Sequence, residues 1–143
     1  MAVIPITDKG IKLLARLMRA EAVSDGNQAM LMVGNVGVNR VRGDCLDFEN
    51  INSIQDMVFQ HPGGFEATLH GFFYQRARQH EINLARKVVK GNRYWPASFS
   101  LWFFEPPGSC PSQWFGEPLA GSFKSFCYFH PRYSECSDVY STF

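Results

Sequence analysis

The sequence predicts an α+β fold in a single domain, and three observations carry that expectation. The first is length: 143 residues fit one domain and can bury one core. The second is a change of texture at Pro96. Before it, apolar residues recur at helical spacing; after it, short aromatic runs are broken by Pro and Gly. The third is the order of the two textures, helices first and strands later, with no internal repeat or low-complexity stretch between them.

The elements follow in order. A first helix begins near Thr7 or Asp8, both good N-caps, runs through IKLLARLMRAEA and stops near Ser24-Asp25-Gly26. A second covers about residues 27–42. It reads QAMLMVGNVGVNRVR, apolar nearly all round, which predicts a buried central helix. Gly34 and Gly37 weaken that helix, and the expected compensation is close approach of a neighbouring backbone. A loop over 43–52 leads to a short helix over 53–59, ended by His61-Pro62-Gly63-Gly64. Helices are expected over 71–78 and over 80–90, the latter closed by Gly91 at its C-cap. From Ser98 on, SFSLWFF, SQWFG and SFKSFCYF read as strands or extended segments.

Composition narrows the function classes. With 45% apolar and 19% charged residues the chain is globular rather than disordered. A net charge of +1 without a basic stripe gives no nucleic-acid footprint. No apolar run is long enough for a membrane helix, and MAVIPITDKG does not read as a secretory leader, so synthesis in a cytosol is expected. Cys45, Cys110, Cys127 and Cys136 form no CxxC pair; three disulfide pairings stay open, and reduced buried thiols are the expectation. His61, His70, His80 and His130 lack metal-ligand spacing, and Asp44, Asp47 and Glu49 do not fit the EF-hand pattern, so no metal site or required cofactor is expected.

Glu21 is the most informative residue of the first helix. It follows Met18, Leu17 and Leu14 by three, four and seven residues, which places it on the apolar stripe. A carboxylate there is costly unless paired or protonated, and burial raises its pKa as a general acid requires. The structural alternative is an ion pair with Arg16 or Arg40. On the second helix, Gln28, Asn35, Asn39 and Arg42 share one broad face. Such carboxamides must find hydrogen-bond partners, either sugar hydroxyls and N-acetyl groups or loop backbone. Of the 21 aromatic residues, all but Phe48, Phe59 and Phe65 lie at or after Phe72. Most belong in a core; Phe65, Trp102 and Trp114 are the candidates for stacking on sugar. So aromatic a second half is also expected to leave an exposed apolar patch that contacts a partner. Tyr133, Val139, Tyr140 and Phe143 of the 131–143 tail contribute to it, unless the tail packs back over the sheet.

These segments resemble the SleB/CwlJ cell-wall hydrolase family of spore cortex-lytic enzymes. LLARLMRAEA matches its LARxxxxEA segment through Leu14-Ala15-Arg16 and Glu21-Ala22; Asn39-Arg40-Val41 matches the end of its second segment; His61-Pro62-Gly63-Gly64-Phe65 matches its Gln-Pro-Gly-x-Phe segment; SLWFFEP and SQWF follow. The likeness spans about residues 10–130. The residues at 71–78, GFFYQRAR, and the DVYSTF ending are similar to the family's short members that lack a separate wall-binding domain.

The resemblance implies a lysozyme-like, lytic-transglycosylase-like domain and cortex peptidoglycan as substrate. It implies Glu21 as catalytic acid; the carboxamide face adds Gln28, Asn35 and Asn39 as expected substrate contacts, the aromatic candidates add Phe65, Trp102 and Trp114, and Glu66 beside Phe65 joins them. It further implies synthesis in the mother cell, a place at the coat–cortex boundary, a germination role activated by calcium–dipicolinate, and a coat-protein partner of the GerQ type. Two departures bear on the chemistry: Ser125-Phe126-Cys127 stands where related sequences carry a histidine, and Glu66 where they tend to carry a neutral residue. A single acid protonates the leaving oxygen and then serves as base on the sugar's own 6-hydroxyl; with Glu66 across the bond, a two-carboxylate hydrolysis applies instead. A non-catalytic wall-binding or coat-assembly protein and a stem-peptide amidase are the rival classes.

Overall fold

The computed structural model describes residues 2–60 and 64–141. Helix α1, Asp8–Ala22, begins where the Thr7 hydroxyl accepts a hydrogen bond from Gly10 N at 2.9 Å. Its apolar stripe, Ile11, Leu14, Leu17 and Met18, is buried, each side chain contributing about 1.5–3 kcal/mol by leaving water. Helix α2, Gly26–Gly43, is buried from Ala29 through Val41 and occupies the centre of the molecule, as its all-round apolar pattern predicts. Helix α3, Ile54–Val58, and helix α4, Gln79–Val89, pack with α1 around it. Gly91 closes α4 at φ 102°.

Two expectations about the helices are corrected. Gly34 and Gly37 accommodate side chains, not a neighbouring backbone: a Cβ at Gly34 would lie 2.9 Å from Val88 Cγ2 and 3.0 Å from Met18, and one at Gly37 would lie 2.8 Å from Met57 Cε. The helix expected over 71–78 is replaced by a 3-10 turn, Gly71–Tyr74, followed by extended chain. The reason lies in α1. Arg16 Nε donates to the Phe73 carbonyl, and the Arg19 guanidinium donates to the carbonyls of Phe72, Gln75 and Arg76. Acceptors that an α-helix would have used internally serve two arginines instead. Glu81 holds Arg19 from the other side at 3.1 Å.

The second half forms a four-stranded antiparallel sheet in the order β1-β4-β3-β2, with β1 Trp102–Phe104, β2 Gln113–Trp114, β3 Glu117–Phe123 and β4 Phe126–Phe129. β4 is buried throughout, because it is central in the sheet and covered on both faces. On one face, Phe126 and Tyr128 join Phe103 of β1 and pack on Met32 and Val36 of α2. On the other, Phe104 stacks on Phe129 and meets Trp114 at 4.3 Å between ring centroids.

All four cysteines are paired, Cys45 with Cys136 and Cys110 with Cys127, which overturns the expectation of reduced thiols. Tertiary packing brings the Cα atoms to 5.6 and 5.7 Å, within disulfide range. The tail packs inward up to Ser141, beside the start of the sheet rather than over it. Val139 is fully buried with Phe48 and Leu101, Tyr140 lies against Phe99, and Arg93 donates to the carbonyls of Val139 and Ser141. Tyr133 is 70% exposed, and Phe143 lies outside the described residues.

Candidate active-site cleft

The last turns of α1 and α2 supply the two central charges of a cleft of about 520 Å³. Glu21 and Arg40 line it, with Ser24 and Asp25 from the α1–α2 connection, Phe65 and Glu66 from the start of the 3-10 turn Glu66–Leu69, and Phe103, Phe104 and Phe126 from the sheet with Glu105 just after β1. Helix α1 therefore buries Leu14 and Leu17 but turns Glu21, only half buried, into the cleft.

Burial pushes the Glu21 carboxyl above its ordinary value of 4.5, and the nearby Glu66 charge adds to this. The Ala67 N–H, which donates to the carboxyl, and the Arg40 charge oppose the rise without cancelling it. No ion pair neutralises Glu21 among the described residues. Arg16 is committed to the Phe73 carbonyl and the Phe73 ring. Arg40 donates through Nε to the Leu101 carbonyl at 2.8 Å and lies over the rings of Phe48 and Phe65 at 4.5 and 4.4 Å. Burial brings Arg40 down to about 10, partly offset by Glu21 and Asp47, so it stays charged at neutral pH. Among the described residues its Nη1 has no hydrogen-bond partner. A protonatable acid thus shares a polar cleft with a fixed cation that retains donor capacity.

The residues singled out in the sequence divide into three groups. Glu21, Phe65 and Glu66 meet in this cleft; Glu66 is exposed and pairs with His70 at 3.7 Å. Trp102 and Trp114 come together in a neighbouring pocket of about 320 Å³, with Asp47, Phe48, Phe115 and Glu117. The two spaces adjoin, since Phe104 of the cleft packs on Trp114 and Arg40 of the cleft lies over Phe48. Asn35 and Asn39 are in neither, which corrects the expectation that they meet substrate. Asn39 Nδ2 donates to the carbonyls of Ala97, Ser98 and Ser100, while Asn35 donates to the Asn92 carbonyl and accepts from Tyr94 N. Their amides satisfy loop backbone in the interior. Gln28 is exposed on the first turn of α2, outside both spaces.

Sequence reasoning missed Arg40 as a cleft residue and missed Glu105 and Glu117 altogether. An arginine inside an apolar helix was the available signal for Arg40. The carboxylates sit among aromatic runs with no distinguishing spacing. At the departure from the family pattern, Ser125 Oγ donates to the Glu105 carboxylate, Phe126 lines the cleft and Cys127 is in a disulfide.

A family described as Cell Wall Hydrolase matches residues 24–129, three quarters of the chain, and the chain belongs to that family. Among its relatives is the cell wall hydrolase CwlJ of Halalkalibacterium halodurans, 57% identical over the whole of both chains. The CwlJ of Oceanobacillus iheyensis is 56% identical over 98% of this chain and 99% of its own, and that of Bacillus subtilis 51% over the whole of both. The catalytic domain of the Bacillus cereus SleB protein shares the fold, with a TM-score of 0.70 at 18% identity, covering 88% of this chain and 94% of its own. Among the described residues no helix is long and apolar enough to cross a membrane.

Proposed function

We propose that this cell-wall hydrolase cleaves glycosidic bonds in the glycan strands of spore cortex peptidoglycan during germination, with Glu21 as the acid. The observation that carries the proposal is the Glu21 carboxyl, held protonatable by burial in a cleft lined by Arg40, Phe65 and Glu66. A glycan strand in the cleft brings its bridging oxygen to the Glu21 proton. As the bond breaks, the positive charge growing on the sugar is favoured by the carboxylate left behind. The same carboxylate then takes the proton of the sugar's 6-hydroxyl, closing a 1,6-anhydro ring without water. Glu66, exposed at the cleft edge, is the group that would activate water if hydrolysis operates instead. Trp102 and Trp114 extend an aromatic surface from the cleft on which further sugar rings stack.

The resemblance supports the setting: action at the coat–cortex boundary, calcium–dipicolinate as activator, and a coat protein of the GerQ type as partner. Digestion of purified cortex followed by mass spectrometry of the fragments tests the chemistry. Anhydro-muramic ends establish the lytic route and new reducing sugar ends the hydrolytic one. Freed stem-peptide amines with intact glycan would refute glycan cleavage.

A further inference from the structure

The pocket beside the cleft has a composition that neutral sugar stacking does not call for. Glu117, the first residue of β3, is 8% exposed. Its Oε2 accepts no hydrogen bond among the described residues. The nearest cation, Arg132, reaches Oε1 only at 4.0 Å, is itself 56% exposed and gives its Nη2 to the Gly116 carbonyl. Asp47 adds a second negative charge to the lining, and Glu135 lies behind Glu117 within hydrogen-bonding reach. Burial first, then Glu135 and Asp47, pushes Glu117 up to about 7, against the pull of Arg132. This corner is short of positive charge. An anionic ligand would be repelled, and a neutral hydroxyl would leave most of the deficit in place.

The remaining wall is aromatic: Phe48, Trp102, Trp114 and Phe115. Phe115 stands in the two-residue turn between β2 and β3 at φ 49°, followed by Gly116 at φ 85°. Both angles belong to a type I′ hairpin turn, where Asn or Gly is the unstrained choice. A bulky residue in that conformation is strained, and strain of this kind collects at functional sites. The residue is 88% exposed and its ring centroid lies 4.8 Å from that of Trp114, so it lends the fold little burial. Aromatic faces combined with carboxylates suit an ammonium group, which offers three donors, no acceptor and a charge attracted to ring faces.

We propose that this pocket binds a protonated primary amine carried by the wall polymer, held between Glu117 and Asp47 and the rings of Trp102, Trp114 and Phe115. The choice of polymer rests on the function proposed above. A wall polymer presents such an amine either on the diamino acid of a stem peptide or on an amino sugar that has lost its acetyl group. The pocket therefore sorts strands by an amine next to the bond being cut.

The test is an NMR titration of the tryptophan indole N–H signals in Glu21→Gln protein, which holds ligand without cleaving it. The probes are a deacetylated glucosamine tetramer, its N-acetylated form, an N-terminally acetylated Ala-γ-Glu-Lys tripeptide and the same tripeptide acetylated also at Nε. An amine-bearing probe is expected to shift Trp102 and Trp114 but not Trp95, with acetylation of the amine and Glu117→Gln each weakening binding about tenfold or more. Since Glu117 is buried, Asp47→Asn and Phe115→Gly give a second reading on exposed positions and should weaken binding severalfold. A response to the tetramer alone identifies the amino sugar, and one to the tripeptide alone the stem peptide; either supports the proposal. Equal binding of acetylated and free probes, unshifted Trp102 and Trp114, or unchanged binding in folded Asp47→Asn and Phe115→Gly proteins would overturn it. Amine binding without Glu21-dependent cortex cleavage would refute the glycosidase reading alone, and cleavage without amine selectivity would refute this inference alone.

Discussion

Glu21 illustrates how position on a helix sets the environment of one carboxyl. Its spacing from Leu14, Leu17 and Met18 puts it on the buried stripe, and the end of α1 lets it emerge half buried in the cleft. Replacing it by Gln keeps shape and hydrogen-bonding capacity while removing the proton, so cortex release is expected to fall about 100-fold or more. The folded protein should not lose stability. A carboxyl whose pKa is raised on folding contributes fully below its ordinary value of 4.5 and costs stability as pH rises through the folded value. Glu21→Gln removes that cost, so its melting temperature at neutral pH should equal or exceed the parent's. Near-parental lysis by folded Glu21→Gln protein would refute the assignment. With Glu21 as the proposed acid, the same titration is expected to set the alkaline limb of the activity profile. Glu66→Gln removes a charge that raises Glu21 and should move the limb to lower pH; Arg40→Gln should move it higher, and rate–pH profiles of the two variants decide this.

At the scale of elements, α2 organises the molecule by packing on one side and hydrogen bonding on the other. Asn39 holds three carbonyls of the segment leading into β1. Asn39→Ala leaves those buried acceptors without their donor and should cost about 2–3 kcal/mol, read as a lower urea midpoint at unchanged slope, with activity per folded molecule preserved. Activity lost in fully folded protein would return Asn39 to the substrate. The two helix glycines should separate on substitution. Gly34→Ala drives a methyl against Val88, a stiff β-branched side chain, and should destabilise by about 1–3 kcal/mol. Gly37→Ala meets the flexible end of Met57, and its gain in helix propensity of about 1 kcal/mol should leave it near neutral by thermal denaturation.

For the whole molecule, two covalent links close the architecture. Cys45–Cys136 spans 91 residues and ties the tail to the end of α2; Cys110–Cys127 spans 17 and ties the β1–β2 connection to β4. Chain entropy makes the long loop worth about 4–5 kcal/mol and the short one about 3 kcal/mol. Cys45→Ser with Cys136→Ser should therefore lower the melting temperature more than Cys110→Ser with Cys127→Ser, and calorimetry of the two double variants checks the order. The tail that one of these links holds down is core cover at Val139 and Tyr140, which leaves Tyr133 as its exposed aromatic.

Much of this was determined locally. The 3.6-residue stripe of α1, the all-round apolar run of α2, the caps at Thr7 and Gly91 and the aromatic runs of the sheet each carry their structure in consecutive residues. The same periodicity pointed Glu21 inward, and the motifs around it resemble a wall-hydrolase family to which the chain does belong. What sequence could not supply was every property that depends on a distant neighbour. Residues 71–78 have helical texture, yet arginines from α1, more than fifty positions away, claim their carbonyls. Asn35 and Asn39 look like a ligand-binding face until the loop beyond α4 arrives to use their amides. Disulfide pairing and the meeting of Asp47, Trp102, Trp114 and Glu117 arise from separations that only packing closes. Periodicity reports which face of an element avoids water; it carries no information on which group comes to lie opposite that face, and partners are what decide a pocket or a hydrogen bond.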